Sequence, residues 1–294
     1  MKTAFIGLGV MGNPMAENLV LNGQYEVCVF DVDIGKSDRL VKLGARGADS
    51  VAHAVAGADL VMTSLPGPHQ VAQVAFEQGL FDHIKPGSAW IDFSTNNLAV
   101  CRQIVEAADD RDIDYLDAPV SGGDEGARAG RLTVLVGGEE PVFQRFLPVL
   151  QVVGENICYL GQHGAGYSAK IAQVVLCYLH SLALSEALML GIKGGVDHRG
   201  MLSIIQHSTG KSYVADRYGP AILSGDYDPS FTVGLAHKDM KLATDMAENL
   251  GIALPMCALA ATTYERAIHH FGFEANHLKV VRLLEEDNDT FLQV

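Results

Sequence analysis

A glycine-rich loop between a strand pattern and a helix pattern is the feature that most constrains this fold. The loop Gly7-Leu8-Gly9-Val10-Met11-Gly12 fits the spacing GxGxxG; it follows an apolar strand pattern at Lys2–Ile6 and leads into a helical pattern from Pro14. A second strand pattern ends at Asp31, nineteen residues after Gly12. In such a loop the first glycine permits a tight turn, the second lets the backbone approach phosphates, and the third lets the helix pack on the strand. The order of these parts predicts the opening βαβ unit of a Rossmann-type domain.

The same segment predicts a ligand. The amides and dipole of a helix amino terminus hold a pyrophosphate, and a carboxylate at Asp31 would accept hydrogen bonds from the ribose hydroxyls of an adenosine. That carboxylate would repel a 2′-phosphate, and no arginine directly follows Asp31. We therefore predict that residues 7–12 and Asp31 bind NAD in preference to NADP.

The chain divides into two kinds of pattern. Up to residue 163, short apolar runs alternate with amphipathic stretches, which predicts a parallel sheet covered by helices on both faces. One long helical pattern then runs from Ala165 to about Lys193, only helical patterns follow it, and a turn is predicted at Asp226–Pro229. We predict an α/β Rossmann-type N-terminal domain over residues 1–163 and an all-α C-terminal domain over residues 164–294, which begins with the long connecting helix. The predicted strands are Lys2–Ile6, Glu26–Phe30, Leu60–Leu65, Ala89–Phe93, Asp114–Leu116 and Leu132–Val136.

Composition argues against several classes of function. A formal net charge of −14 repels phosphate backbones, so no nucleic-acid partner is expected. No run reaches about 18 consecutive apolar residues, and the first residues do not resemble a signal peptide, so we expect a cytoplasmic protein with no membrane partner. The five cysteines never have CxxC spacing, which favours reduced thiols. His269, His270 and His277 have no carboxylate or thiol at ligand spacing, so they are expected on a surface helix and no metal site is predicted.

Short motifs along the whole chain resemble those of the β-hydroxyacid dehydrogenase family. The opening GLGVMGNPMAENL, Gly7–Leu19, is similar to the first motif of that family. The remaining motifs occur in the family's order, and they are Ser64-Leu65-Pro66, Asp92-Phe93-Ser94-Thr95, Asp117-Ala118-Pro119-Val120-Ser121-Gly122-Gly123, Gly161-x-x-Gly164-x-Gly166-x-x-x-Lys170 and Lys238-Asp239.

The resemblance implies a role for several of these residues. Those that would contact the cofactor are Leu65, Pro66, Gln70, Thr95 and, reaching across from the helical domain, Lys238. Those that would bind the substrate are Ser121, Gly122 and Gly123, and Lys170 would be catalytic. The chemistry agrees, since a glycine pair after a strand offers unobstructed amides and a serine adds a donor, which together suit a carboxylate. Taken alone, a glycine pair is an ordinary turn and a lysine is an ordinary surface charge.

One position departs from the family pattern. Members usually carry asparagine one turn after the catalytic lysine, whereas this chain has Gln173. Helical spacing places Gln173 on the same face as Lys170, so we expect a polar contact to the substrate that is kept but shifted. Asp239 either orients Lys238 or is an ordinary acid of a helix's first turn. Neither His163 nor His237 is predicted to be the acid–base group.

Together these features predict hydride transfer between NAD and a small 3-hydroxy acid, at the carboxyl ends of the strands where they face the helical domain. The resemblance implies 3-hydroxyisobutyrate as the substrate, oxidised to methylmalonate semialdehyde while Lys170 removes the hydroxyl proton. Two alternatives stay open: an NAD(P)H-dependent reductase of a tartronate, succinic or glyoxylic semialdehyde, and a non-catalytic dinucleotide sensor. An imine-reducing relative is disfavoured because such relatives are expected to lack the lysine. The apolar segments Val174–Leu176 and Leu182–Leu184 predict a homo-oligomer, either a dimer or a tetramer.

Overall fold

The computed structural model describes residues 1–227 and 231–294, which form two compact units, Met1–Lys170 and Ile171–Val294. The predicted domain boundary, between residues 163 and 164, lies just before the long helix, whereas the two units divide within that helix. The predicted turn at Asp226–Pro229 extends into residues outside the described part of the chain.

The first unit is a nine-stranded sheet, as far as the described residues go, with helices packed on both sides. The strands at Lys2–Ile6 and Glu26–Phe30 have the predicted bounds, and the other four predicted strands end within two residues of theirs. In chain order the elements are β1 (Lys2–Ile6), α1 (Gly12–Asn22), β2 (Glu26–Phe30), α2 (Asp38–Lys42), β3 (Arg46–Gly47), α3 (Val51–Val55), β4 (Leu60–Thr63), α4 (Pro68–Phe76), α5 (Leu80–His83), β5 (Ala89–Asp92), α6 (Leu98–Asp109), β6 (Asp114–Asp117), β7 (Val120–Ser121), α7 (Gly123–Arg128), β8 (Leu132–Gly138), α8 (Glu140–Val153) and β9 (Gly154–Tyr159).

The sheet is parallel over six strands, in the order β3-β2-β1-β4-β5-β6, and then departs from the prediction. Both β6 and β7 pair with β8 in antiparallel fashion. The short connection from Ser121 to Leu132 accounts for the antiparallel β7–β8 pair, because a parallel crossover needs about a dozen residues or more. Strand β9 then pairs with β8 in parallel after the crossover through α8.

Four strands end level with one another at one edge of the sheet. In the strand register Ile6 lies beside Thr63, Thr63 beside Asp92, and Asp92 beside Asp117. The loops that follow β1, β4, β5 and β6 therefore leave the sheet at the same edge, which in α/β sheets is the edge that binds ligands.

The second unit is helical. It contains most of α9 (Ala165–Lys193), which also supplies the last residues of the first unit. Val174, Val175 and Leu184 lie in its core, whereas Leu176, in the first of the two segments from which self-association is predicted, is 50% exposed. The other helices are α10 (His198–His207), α11 (Tyr213–Arg217), α12 (Gly219–Ser224), α13 (Val233–Leu250), α14 (Pro255–Phe271) and α15 (Val280–Asp287).

Helix α9 is apolar as well as long. An 18-residue window of it has a mean hydropathy of 1.6, and by length and composition alone it is the one helix in the described residues that would cross a membrane. From Ile171 onward its buried apolar residues, among them Tyr178 and Leu188, belong to the core of the helical unit. That membership accounts for its apolar composition.

Candidate active site

The glycine loop has the shape needed to hold phosphates. A Cβ at Gly7 would lie 2.3 Å from the carbonyl oxygen of Ser64, and one at Gly12 would lie 1.9 Å from that of Gly7, so only glycine fits at both positions. At Gly9, by contrast, no atom of the described residues comes within 4 Å of a built Cβ, which leaves this face of the loop open. Helix α1 begins directly afterwards at Gly12 without a side-chain cap on its first amides. The cradle therefore fits a pyrophosphate.

Asp31 ties the glycine loop to the turn after β2. Its Oδ2 accepts a hydrogen bond from the Leu8 amide at 2.7 Å, and its Oδ1 accepts one from the Asp33 amide at 2.9 Å. The Lys36 Nζ atom lies 3.3 Å from the same Oδ1. Sequence reasoning looked only for an arginine directly after Asp31 and so missed this cation five residues on.

The loops after β4 and β5 are joined by one serine. The Leu65 amide donates to Ser94 Oγ at 2.9 Å, and that hydroxyl donates to Asp92 Oδ1 at 2.6 Å. Leu65 and Thr95 are half-buried. Pro66 is exposed in the same loop as Leu65, and Gln70 is exposed on α4.

The segment Ser121–Gly123 forms the turn between β7 and α7. Gly122 has φ +133° and Gly123 has φ +65°, conformations that L residues rarely adopt. Ser121 is half-buried, whereas both glycines are exposed. Asp124 and Glu125 occupy the first turn of α7, so an anionic ligand here would be held by local amide and hydroxyl donors against a negative background.

Lys170 lies half-buried in the second turn of α9, within the first unit. The glycines before it let this helix begin against the sheet: a Cβ at Gly166 would lie 2.3 Å from the Leu135 carbonyl oxygen. The Gly164 amide donates to Asp117 Oδ1 at 2.8 Å. Burial raises the pKa of Asp117 to about 6, although such amide hydrogen bonds act in the opposite direction.

In the helical unit, Lys238 lies beside the buried carboxylate of Asp239. Lys238 Nζ lies 3.0 Å from Asp239 Oδ1, and Asp239 Oδ2 accepts a hydrogen bond from the buried Tyr178 hydroxyl at 2.6 Å. Burial and the neighbouring Asp239 carboxylate hold the pKa of Tyr178 well above its ordinary value. Because α13 begins at Val233, Asp239 is not a first-turn acid, and its contacts fit the orienting role instead. Gln173 is exposed on α9.

Of the three histidines predicted to lie on a surface helix, two are exposed and one is buried. His269 and His270 are exposed near the end of α14, as expected. His277 is buried, with its ring 5.0 Å from that of Tyr218 and 5.6 Å from that of Phe231, so the surface prediction is wrong there. Aromatic neighbours from two distant segments bury it, and its own segment gives no sign of them. Within residues 1–227 and 231–294, no three His, Cys, Asp or Glu side chains are grouped to hold a metal ion.

Comparison with known proteins places these features in a family. Residues 2–161 match the model for the NAD-binding domain of 6-phosphogluconate dehydrogenase, and residues 164–284 match the model for NAD binding of NADP-dependent 3-hydroxyisobutyrate dehydrogenase. The chain is 38% identical to 2-(hydroxymethyl)glutarate dehydrogenase of Eubacterium barkeri, over 90% of this chain and 88% of that one. It is also 38% identical to 3-hydroxyisobutyrate dehydrogenase of Pseudomonas aeruginosa, over 93% of each chain.

A solved structure agrees over nearly the full length. The 3-hydroxyisobutyrate dehydrogenase of Mycobacterium tuberculosis, solved with L-serine, superposes with a TM-score of 0.87 at 29% identity and covers 96% of this chain and 98% of its own. With the Rossmann-type unit, the glycine cradle and the helical unit, these matches identify a dehydrogenase that uses a nicotinamide dinucleotide. The chain belongs to the β-hydroxyacid dehydrogenase family.

Proposed function

We propose that this enzyme oxidises a small 3-hydroxy acid with NAD, and that 3-hydroxyisobutyrate is its substrate, converted to methylmalonate semialdehyde. The observation that carries the proposal is the chemistry shared by the compounds in the relatives' names. 2-(Hydroxymethyl)glutarate, 3-hydroxyisobutyrate and L-serine all have the form HOCH₂–CHR–COO⁻ and differ only in R. A primary alcohol next to a carbon that bears a carboxylate therefore defines the substrate class.

Lys170 is the proposed acid–base residue. In oxidation its neutral amine removes the hydroxyl proton, and in reduction its ammonium returns a proton to the forming alkoxide. Bound NAD supplies the hydride acceptor. The Ser121 hydroxyl and the amides of the exposed residues Gly122 and Gly123 are proposed to hold the substrate carboxylate, and Gln173 is proposed to bind a further polar group of the substrate.

The cofactor is proposed to be held mainly by the first unit. The glycine cradle, residues 7–12, would bind the pyrophosphate, and Asp31 the adenosine ribose. The residues proposed to line the rest of the cofactor are Leu65, Pro66, Gln70, Thr95 and Lys238. We also propose a cytoplasmic homo-oligomer, supported by exposed apolar side chains around the α13–α14 turn.

A substrate screen tests the function. Oxidation of 3-hydroxyisobutyrate, L-serine, glycerate and 4-hydroxybutyrate is measured with NAD and with NADP, and reduction of the matching semialdehydes with NADH. We expect the highest kcat/KM with 3-hydroxyisobutyrate and NAD. Ser121→Ala should chiefly raise KM for that substrate, because a carboxylate contact acts in the ground and transition states alike.

Each other outcome of the screen has a distinct meaning. A higher kcat/KM for glycerate or its semialdehyde would replace the proposed substrate with the tartronate type. NAD binding without turnover of any compound would make the chain a dinucleotide sensor and would contradict the proposal.

A further inference from the structure

A fully buried carboxylate lies at the end of β5. Asp92 Oδ1 accepts hydrogen bonds from Thr63 Oγ1 at 2.6 Å, from Ser94 Oγ at 2.6 Å and from the Ser94 amide at 3.1 Å. Its Oδ2 accepts one from the Tyr167 hydroxyl at 2.5 Å. The Asp92 side chain thus connects strand β4, the cofactor-lining loops and the first turn of α9.

A second buried carboxylate holds the same tyrosine from the neighbouring strand. Asp117, at the end of β6, accepts the Tyr167 amide on Oδ2 at 3.1 Å and the Gly164 amide on Oδ1 at 2.8 Å. Tyr167 is therefore fixed at both ends, its N–H by Asp117 and its O–H by Asp92. The hydroxyl of Tyr115 lies 2.6 Å from that of Tyr167 and completes the cluster.

This double attachment constrains how α9 can move against the sheet. An amide bond alone would let the helix start rotate about its axis, whereas a second bond at the far end of the ring removes that freedom. Lys170 follows Tyr167 by three residues, about 60° around the helix axis, so it turns with Tyr167 as one rigid turn. Ser94, bound to Asp92, also fixes the Leu65 amide, so the helix start and the cofactor-lining loop share one anchor.

We propose that Asp92, Asp117 and Tyr167 are positioning residues that set the placement of the Lys170 amine relative to the loop at Leu65. The inference rests on the proposed role of Lys170. Two buried carboxylates are a costly way to join a helix to a sheet, because burying charge carries a desolvation penalty that apolar packing avoids. Directional hydrogen bonds fix an orientation that apolar contacts leave adjustable.

The test deletes one hydroxyl at a time. Tyr167→Phe removes the bond to Asp92, while Tyr115→Phe, the matched control, removes a neighbouring buried hydroxyl and leaves that bond in place. Each variant is made in the parent and in Lys170→Ala, and kcat, KM and the Kd for NAD, by calorimetry, are measured. Asp92→Asn is carried through the same cycle as a second variant, and circular dichroism checks that each variant folds.

If these residues position Lys170, the effect of Tyr167→Phe on kcat should depend on whether Lys170 is present. In the parent, Tyr167→Phe should lower kcat by about tenfold, since misplacing a catalytic group by a fraction of an ångström is costly. The Kd for NAD should change less than twofold, and Tyr115→Phe should lower kcat less than threefold. In the Lys170→Ala background, Tyr167→Phe should change the residual rate less than twofold, because no amine is left to position.

Two other results have separate meanings. The same fold-loss of kcat in both backgrounds, or no loss in the parent, would overturn the anchor and leave Tyr167 with only a structural role. A parent-like rate in Lys170→Ala would instead overturn the proposed acid–base role of Lys170, and the anchor would fail with it.

Discussion

Among single residues, Asp31 is the one predicted to make the enzyme prefer NAD over NADP. Replacing it by alanine removes the acceptor for the ribose hydroxyls and for the Leu8 amide. NAD affinity should therefore fall by at least about tenfold, since the loss of one hydrogen bond to a charged group weakens binding by about that factor. Turnover at saturating NAD should stay near that of the parent. Calorimetric Kd values with NAD and NADP provide the measurement.

The matched control is Asp33→Ala in the same turn, whose carboxylate accepts a hydrogen bond from the Gly35 amide. Its NAD affinity should change less than threefold. The parent should prefer NAD, and equal or tighter binding of NADP would show that Lys36, rather than Asp31, decides the choice.

The sequence was enough to find the motifs, but it did not reveal the hydrogen bonds that their side chains make to distant residues. Asp92 and Asp117 lie inside motifs quoted from the sequence, but nothing there predicts that both bind Tyr167, which is 75 and 50 residues further along the chain. Such contacts depend on strand register and on where α9 begins. The tyrosine itself occupies a variable position of the glycine–lysine motif, so only the fold reveals it.

At the scale of elements, the start of α9 depends on the protonation of Asp117. Its folded pKa of about 6 lies above its ordinary value of 3.8, so the folded state binds this proton more tightly than the unfolded state. Its contribution to stability is therefore full below about pH 4 and is lost as the pH rises through about 6. A pKa of Asp117 raised from 3.8 to about 6 corresponds to about 3 kcal/mol.

The free energy of urea unfolding of the parent, relative to that of Asp117→Asn, should therefore fall by about 2 kcal/mol between pH 4 and pH 6.5. Asp82→Asn, at an exposed carboxylate on α5, serves as the control and should show no comparable change. A difference that stays constant or rises over this range would contradict the raised pKa.

Elements with a continuous apolar run or a sustained helical spacing could be predicted from the sequence, whereas elements that mix polar and apolar residues could not. The buried strands β1 and β2 and the long helix α9 matched their predicted bounds, because continuous apolar runs and sustained helical spacing are strong local signals. Strand β9 was missed since it is only partly buried and carries polar residues. The antiparallel β7–β8 pair follows from connection length, which strand patterns alone do not express.

At the scale of the whole molecule, the exposed apolar residues predict self-association. Leu250, Ile252, Met256 and Leu259 are each more than half exposed around the α13–α14 turn. Light scattering should give a multiple of the 31.5 kDa chain mass. Leu259→Glu should shift the mass toward that of one chain, because a buried unpaired charge is unfavourable at an interface.

The control is Leu21→Glu on α1, where the leucine is 62% exposed against 63% for Leu259. It should leave the mass unchanged. A parent mass of 31.5 kDa at micromolar concentration would reject the homo-oligomer.

Lys170 is proposed to handle the proton while the rest of the chain holds NAD and a hydroxy acid. Single-turnover hydride transfer by Lys170→Ala, with NAD and 3-hydroxyisobutyrate saturating, tests this most directly, with Lys193→Ala at the far end of the same helix as the control. The account predicts a loss of about 10²- to 10⁴-fold in the rate, the usual contribution of a positioned acid–base group, and an unchanged Kd for NAD. A rate within about threefold of the parent would contradict it and assign the proton to another group.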